Sequence, residues 1–507
     1  MIKRFLTVGG WTFMSRVLGF ARDVMMAAFL GTGPVAEAFV VAFSLPNLFR
    51  RFFAEGAFNM AFVPMFSKKL ERGDDPLGFA RDALVVLALI LLALSAVAVV
   101  LMPWLVWAMA SGFSGDTRFD LTVIFGRIAF PYIFFISLAA LASGVLNAAG
   151  HFRAAAAAPV LLNVIFIAVL AGAAALSWDI GLTLAWAVPV AGVAQMALVW
   201  GAAARAGFVL WPRWPRWTDD LKRLSIIAAP AALAGGVVQI NLLVGRQVAS
   251  YFEGANAWLY YADRLYQLPL GVVGIAVGIV LLPELSRRLA AQDGAGGRTA
   301  LTQAVMFSLA LTVPCAFALV AIPDSLISVL FGRGAFAPAD VQATALACAI
   351  YGLGLPAFVL QKTYQPLYFA REDTKTPFYF ALVSLGLNLV IAVSLSFVIG
   401  FTAAAWGTTL SAWGMLLCLY LGARRFGDDA RLTPGTGGRG LRIVVASAIM
   451  AVGLIGLEYV LQPLLAADYL RYAALAALVL AGAGIYAGAA LGLRAFALAD
   501  LRGATRR

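Results

Sequence analysis

Fourteen apolar runs of about twenty residues, each bounded by charges or by Gly and Pro, constrain this chain more than any other feature. They are Phe5 to Leu30, Val35 to Phe66, Ala83 to Ala110, Leu121 to Ala149, Ala156 to Leu176, Ile180 to Ala203, Leu224 to Phe252, Ala257 to Leu285, Ala300 to Ile322, Val341 to Phe369, Pro377 to Ile399, Ala403 to Leu421, Ile443 to Leu461 and Tyr472 to Leu491. Lipid offers a backbone no hydrogen-bonding partner, so runs of this kind close their own N–H and C=O groups as helices. Of the 507 residues, 63% are hydrophobic and only 12% charged, outside the range of soluble domains. The expectation is an all-α polytopic membrane protein with 14 transmembrane helices, kinked or shortened at Pro103-Trp104 and Pro463. The first run carries Arg16 and Arg22 and lacks a small-residue cleavage pattern, so it reads as a retained helix rather than a signal peptide.

Orientation follows the basic residues. One set of alternate loops, with both termini, holds about 26 of the 37 Lys and Arg, while the opposite loops hold only Arg118, Arg333 and Arg471. Both ends are therefore expected in the cytoplasm. This bias accounts for most of the net charge of +12, so nucleic acid is not expected as a partner. Cys315, Cys348 and Cys418 lie inside apolar runs without a CxxC spacing and read as packing residues, not as a metal site.

The chain also repeats itself. Pro64-Met65-Phe66-Ser67-Lys68-Lys69-Leu70 recurs as Pro283-Glu284-Leu285-Ser286-Arg287-Arg288-Leu289, 219 positions later. Leu45-Pro46 matches Leu268-Pro269, and Pro131 corresponds to Pro356. Six helices per repeat restore the same orientation, so the halves are parallel repeats about an axis along the membrane normal. Residues 1-208 form one six-helix lobe, 209-222 an interfacial linker, 223-425 the second lobe, and 426-507 two further helices with a tail. The linker alternates Trp211, Trp214 and Trp217 with Arg213 and Arg216, a pattern suited to the headgroup region.

Against this apolar background, the charges between Phe13 and Pro64 need an explanation. Each charged side chain costs about 2.5 to 3.5 kcal/mol at the centre of a membrane helix. Arg16, Arg22, Asp23, Glu37, Arg50, Arg51 and Glu55 must therefore face water, each other or a charged ligand. Arg16 and Asp23 share one helical face, and an intrahelical pair between them is one reading; an aqueous cationic cavity is the other. Arg51 and Glu55 are spaced to pair, leaving Arg50 to meet a ligand. Glu37 could balance the cavity, gate it by pairing with an arginine, or form a structural salt bridge. In the second half, Asp263 and Arg264 follow Tyr260-Tyr261, and Arg264 is the better cavity candidate. Arg127, Arg246 and Lys362 stand alone in or near apolar runs and more readily reach an interface or a carbonyl.

Arginine suits a phosphate ligand, because its planar fork makes paired, charge-assisted hydrogen bonds and stays charged. No catalytic constellation competes. His151 is the sole histidine and lies in a short loop, and no Walker-type glycine loop is present, so neither an enzyme nor an ATP-driven pump is indicated and no cofactor is implied.

Ser15-Arg16-Val17-Leu18-Gly19-Phe20-Ala21-Arg22-Asp23, Leu45-Pro46-Asn47-Leu48, Arg50-Arg51 and Phe53-Ala54-Glu55-Gly56-Ala57-Phe58, followed by Tyr260-Tyr261-Ala262-Asp263-Arg264-Leu265, resemble the signature of the MurJ (MviN) family of lipid II flippases. That family belongs to the multidrug/oligosaccharidyl-lipid/polysaccharide exporter superfamily. The resemblance implies two lobes in a V around a cationic central cavity, with the last two helices shaping a lipid groove; plain lipid-facing packing explains those two helices equally well. It implies Arg16, Arg22, Arg50 and Arg264 as substrate-binding residues, with Asp23, Glu37, Arg51, Glu55 and Asp263 in cavity or gating roles. The implied activity moves lipid II, a polyprenyl pyrophosphate-linked disaccharide peptide, between leaflets of the bacterial cytoplasmic membrane by alternating access. Membrane lipids and cell-wall synthesis proteins are the implied neighbours. A flippase for another polyprenyl-linked precursor, a cation-coupled drug exporter and a non-transporting scaffold are the alternatives. The runs Leu224 to Phe252 and Pro377 to Ile399 contain no Asp or Glu, so the sodium site of some relatives is not carried over.

Overall fold

The computed structural model of the protein describes residues 2–50, 57–214, 216–291 and 293–495. Among them eighteen α-helices follow one another and no strand occurs. Ten helical segments are long and apolar enough to cross a membrane, and the chain is a multi-pass membrane protein. The described residues form two compact units, Met1–Ala257 with Gly334–Phe336, and Trp258–Arg333 with Ala337–Arg507.

The first unit contains α1 (Ile2–Leu30), α2 (Pro34–Arg50), α3 (Ala57–Arg72), α4 (Pro76–Val100), α5 (Met102–Ala110), α6 (Thr117–Ala129), α7 (Tyr132–Ala148), α8 (Arg153–Ala175), α9 (Ile180–Arg205) and α10 (Asp219–Ala249). Proline divides two of the apolar runs. The third breaks at Leu101, ahead of Pro103, into α4 and α5, and the fourth breaks at Phe130-Pro131 into α6 and α7. Helix starts carry caps: the side chains of Asp75, Asp116, Asp179 and Thr218 accept from backbone N–H groups of α4, α6, α9 and α10. α1 is not among the ten apolar segments because Arg16, Arg22 and Asp23 interrupt its hydrophobic stretch, and α2 and α3 have only 17 and 16 residues.

Two apolar cores hold this unit together. In one, Phe62 stacks on Phe66 at 5.6 Å and on Phe79 at 5.4 Å, joining α3 to α4. In the other, Phe39 and Phe166 bring α2 and α8 against α9. Glycines let the helices approach closely, since a Cβ at Gly192 of α9 would sit 2.8 Å from the Tyr132 ring of α7. The linker is pinned as well: Arg213 donates from Nε to buried Asp82 at 2.6 Å and from Nη2 to the Gly78 carbonyl at 3.0 Å. Its indoles are exposed, Trp211, Trp214 and Trp217 at 72%, 85% and 65%.

The second unit contains α11 (Ala255–Ala290) from Trp258 onward, α12 (Gly294–Ala321), α13 (Pro323–Leu330), α14 (Pro338–Phe369), α15 (Lys375–Ile399), α16 (Thr402–Ala423), α17 (Thr436–Leu465) and α18 (Arg471–Gly492). α14 packs between α12 and α16, tied by Thr409 Oγ1 donating to the Ile350 carbonyl and by Gln361 donating to the Ala412 carbonyl. α17 and α18 pack on each other and on α12, where the Tyr486 hydroxyl donates to the Ala310 carbonyl at 2.8 Å. α17 runs through Pro463 to Leu465, so the proline neither shortens nor breaks it; only the final turn loses a backbone bond.

Candidate functional site

The charges on α1 are held by a polar residue on α8. Arg22, only 8% exposed, donates from Nε and Nη2 to Asp23 Oδ1 at 3.1 and 2.7 Å and from Nη1 to Asn163 Oδ1 at 3.1 Å. Asn163 in turn donates from Nδ2 to the Ser15 carbonyl at 2.9 Å. Gly19 faces this amide, and a Cβ there would meet Asn163 Nδ2 at 3.4 Å, an ordinary contact distance. The Phe166 ring lies 5.6 Å from the Arg22 guanidinium. Asp23 therefore pairs with its neighbour Arg22, not with Arg16 two turns away on the same face.

That pairing leaves Arg16 distinct. It is half-buried, and among the described residues it makes no hydrogen bond or ion pair. Five N–H donors in a planar fork are thus uncommitted on the same helix as a fixed, partly neutralised arginine. An anion with two or more oxygens is the ligand that such a fork accepts best.

Glu37 has a different setting. It is 0% exposed, and its carboxylate accepts from Arg118 Nη1 at 2.9 Å and from the backbone N–H groups of Gly254 at 2.9 Å and Asn256 at 3.0 Å. With no exposed surface it pairs with an arginine and holds the start of α11 and the residue before it, rather than lining an aqueous space. Arg118, counted as a loop residue from sequence, sits in the first turn of α6; it also donates to Asp116 Oδ2 at 2.6 Å and lies 4.5 Å from the Phe113 ring. The Arg118 backbone N–H, and then its side chain, hold the Asp116 carboxyl below the ordinary value.

Arg50 closes α2 and is half-buried. Arg51 and Glu55 lie outside the described residues. Arg127 is exposed and donates from Nε to the Val99 carbonyl at 3.1 Å, next to the α4 break. Arg246 is half-buried within α10.

In the second unit, α11 is steadied by Trp258, whose Nε1 donates to Asp340 at 2.9 Å and whose ring meets Phe401 at 5.0 Å. Further along α11, the Arg264 guanidinium lies 4.3 Å from the Tyr260 ring, and Asp263 accepts from Gln267. Tyr261, fully buried, packs on Phe331 at 5.4 Å. The adjacent tyrosines divide the work: one anchors the helix and the other supports the guanidinium. Lys362 on α14 is exposed.

Sequence reasoning did not pick out Asn163 or the Arg118 to Glu37 pair. Asn163 carried a signal, being the one amide in a run of Ala, Val, Leu and Ile. The partner of Glu37 lies 81 positions away and carried none.

A family model described as "Lipid II flippase MurJ" matches residues 26–476. A Rhizobium meliloti (strain 1021) protein named "Probable lipid II flippase MurJ" is 44% identical over 520 residues, covering 100% of this chain and 96% of that protein. A Burkholderia cenocepacia protein named "Lipid II flippase MurJ" is 38% identical over 440 residues, covering 84% of each. Among solved structures, one described as "Lipid II flippase MurJ, inward closed conformation" has a TM-score of 0.81 at 23% identity, covering 96% of this chain and 99% of that one. An inward-facing multidrug resistance MATE transporter of the MOP superfamily has a TM-score of 0.71 at 12% identity, covering 84% of this chain and 98% of that one. Both structures speak to the fold.

Proposed function

The chain belongs to the lipid II flippase MurJ family, and from that membership we propose that it carries lipid II from the inner to the outer leaflet of the bacterial cytoplasmic membrane. It works as a transporter, without chemical conversion of its cargo, by alternating access. Residues 1-208 and 223-425 act as two six-helix lobes around a cationic cavity, 14 helices cross the membrane, and both termini lie in the cytoplasm. Residues 426-507 add the groove along which the polyprenyl tail travels.

Arg16, Arg22, Arg50 and Arg264 receive the pyrophosphate. The observation that carries this reading is the contrast on α1: Arg22 is clamped by Asp23 and Asn163, whereas Arg16 has no hydrogen bond or ion pair among the described residues. A half-buried guanidinium with free donors is costly in a membrane protein unless an anion visits it. Asp23 sets the position of Arg22 and moderates the local charge, and Asp263 with Gln267 does so beside Arg264. Glu37 closes the path at the far end of α2 through Arg118, and Arg51 and Glu55, outside the described residues, are assigned cavity or gating roles by family membership. The return of the positively charged empty carrier is driven by the membrane potential, worth about 2.3 kcal/mol per charge per 100 mV.

Depletion of the protein, with leaflet-specific labelling and chemical identification of the accumulating intermediate, tests this. Lipid II should build up in the inner leaflet and disappear from the outer one. Accumulation of a different polyprenyl-linked precursor, with lipid II labelling unchanged, would overturn the assignment.

A further inference from the structure

The basic residues of the sparsely charged loops are used unequally. Arg118 is neutralised by Glu37 and Asp116. Arg333, just beyond α13, and Arg471, the first residue of α18, instead converge on one ring: each guanidinium carbon lies 5.3 Å from the centroid of Tyr472. The two charges are thus no more than twice that distance apart.

Their compensation is thin. Among the described residues no carboxylate forms a salt bridge with Arg333, whose Nη2 turns to the Val329 and Leu330 carbonyls at the end of α13. Arg471 has, among the described residues, only Asp468 as an ion-pair partner, 4.0 Å away and with a side chain 86% exposed. Arg471 also stands at a helix N-terminus, where the macrodipole adds positive potential and disfavours a cation. The Nε atoms of both arginines are buried and find no acceptor among the described residues. Uncompensated buried donors of this kind mark a place where an acceptor belongs.

The surroundings identify the acceptor. Tyr459 and Tyr469 are 80% and 96% exposed near the end of the apolar α17–α18 hairpin, with exposed Leu464 and Leu470 among them. Aromatic and apolar side chains mixed in this way belong at headgroup depth. We propose that Arg333, Arg471 and Tyr472 form a binding site for the phosphate of a membrane lipid at this end of the hairpin. Two guanidinium forks engage the phosphate oxygens, while the acyl or prenyl chain runs along α17 and α18. The site stands on the second unit alone and does not depend on the role assigned to Arg16 or Arg264.

Native mass spectrometry of the full chain in neutral detergent tests the proposal, using dioleoyl phosphatidylglycerol, farnesyl pyrophosphate and inorganic phosphate as separate probes. The Arg333→Gln/Arg471→Gln variant should lose affinity for one equivalent of lipid phosphate by about tenfold or more, as expected for losing charge-assisted hydrogen bonds. An Arg16→Gln/Arg264→Gln variant should keep that equivalent. Preference for phosphatidylglycerol identifies a bilayer lipid as the occupant, and preference for farnesyl pyrophosphate identifies the polyprenyl cargo. Equal lipid affinity in wild type and the Arg333/Arg471 double variant overturns the site, as does inorganic phosphate binding as tightly as either lipid. Should the double variant not fold, Arg471→Lys keeps the charge and loses the fork. Its affinity is expected to fall severalfold, and an unchanged value overturns the proposal in the same way.

Discussion

Replacing Arg118 by Gln removes the one cation that meets Glu37 among the described residues. The carboxylate has no solvent to fall back on, being 0% exposed. Breaking a buried ion pair from one side costs about 3 to 5 kcal/mol, most of it from the stranded charge. Here the backbone N–H groups of Gly254 and Asn256 remain as donors, so the expected loss is near the lower end, about 3 kcal/mol. The reverse change, Glu37→Gln, leaves Arg118 its second partner Asp116 at 2.6 Å and should cost less, about 1.5 to 3 kcal/mol. In the double variant neither charge is stranded by the other, so its loss should fall short of the sum by more than about 1 kcal/mol. Unfolding of the purified protein by titrated denaturant, followed by the midpoint at constant slope, measures all three. Additivity within about 0.5 kcal/mol would refute the reasoning, because it would mean that the two side chains do not sense each other.

Three further outcomes follow from the same structure. Asn163→Leu should strand the Arg22 donor that it now accepts, costing about 1 to 3 kcal/mol in the same unfolding assay, whereas Asn163→Asp keeps that acceptor but loses the donor to the Ser15 carbonyl and should cost less than the Leu variant while remaining below wild type. Gly112→Ala should destabilise by about 1 to 3 kcal/mol, since its Cβ would sit 2.6 Å from the Ser250 carbonyl carbon, and backbone cannot swing aside. Asp116 has a folded-state pKa below its usual 3.8, so its contribution is complete above that value and disappears as pH falls through the folded pKa. The gap in thermal midpoint between wild type and Asp116→Ala should therefore stay constant from neutral pH to about pH 5 and narrow below pH 4.

Much of the helical plan can be read from the chain because lipid leaves an apolar run only one way to satisfy its backbone. Where the sequence misled, the cause was local. Pro103 and Pro131 stand at helix breaks, whereas Pro189, Pro356 and Pro463 lie inside continuous helices, so the presence of a proline did not by itself say where a run divides. The charged residues of α1 were legible as a group, since no lipid-facing surface tolerates them, but their pairing was not. Helical spacing placed Asp23 on the face of Arg16, yet the flexible Arg22 side chain folds back to it with Asn163 as a third party. Spacing within one helix cannot reveal a partner on another. Glu37 illustrates the same limit, since its three donors come from Arg118, Gly254 and Asn256, remote in sequence and two of them backbone.

Arg16 offers the most direct test of the account, because its replacement removes no hydrogen bond or ion pair among the described residues and should leave the fold intact. The measurement is lipid II translocation by purified Arg16→Gln in proteoliposomes, beside its denaturation midpoint. The account predicts a fall in translocation of about tenfold or more at unchanged stability, the loss expected for a charge-assisted bond to phosphate. Wild-type translocation by that variant would contradict it.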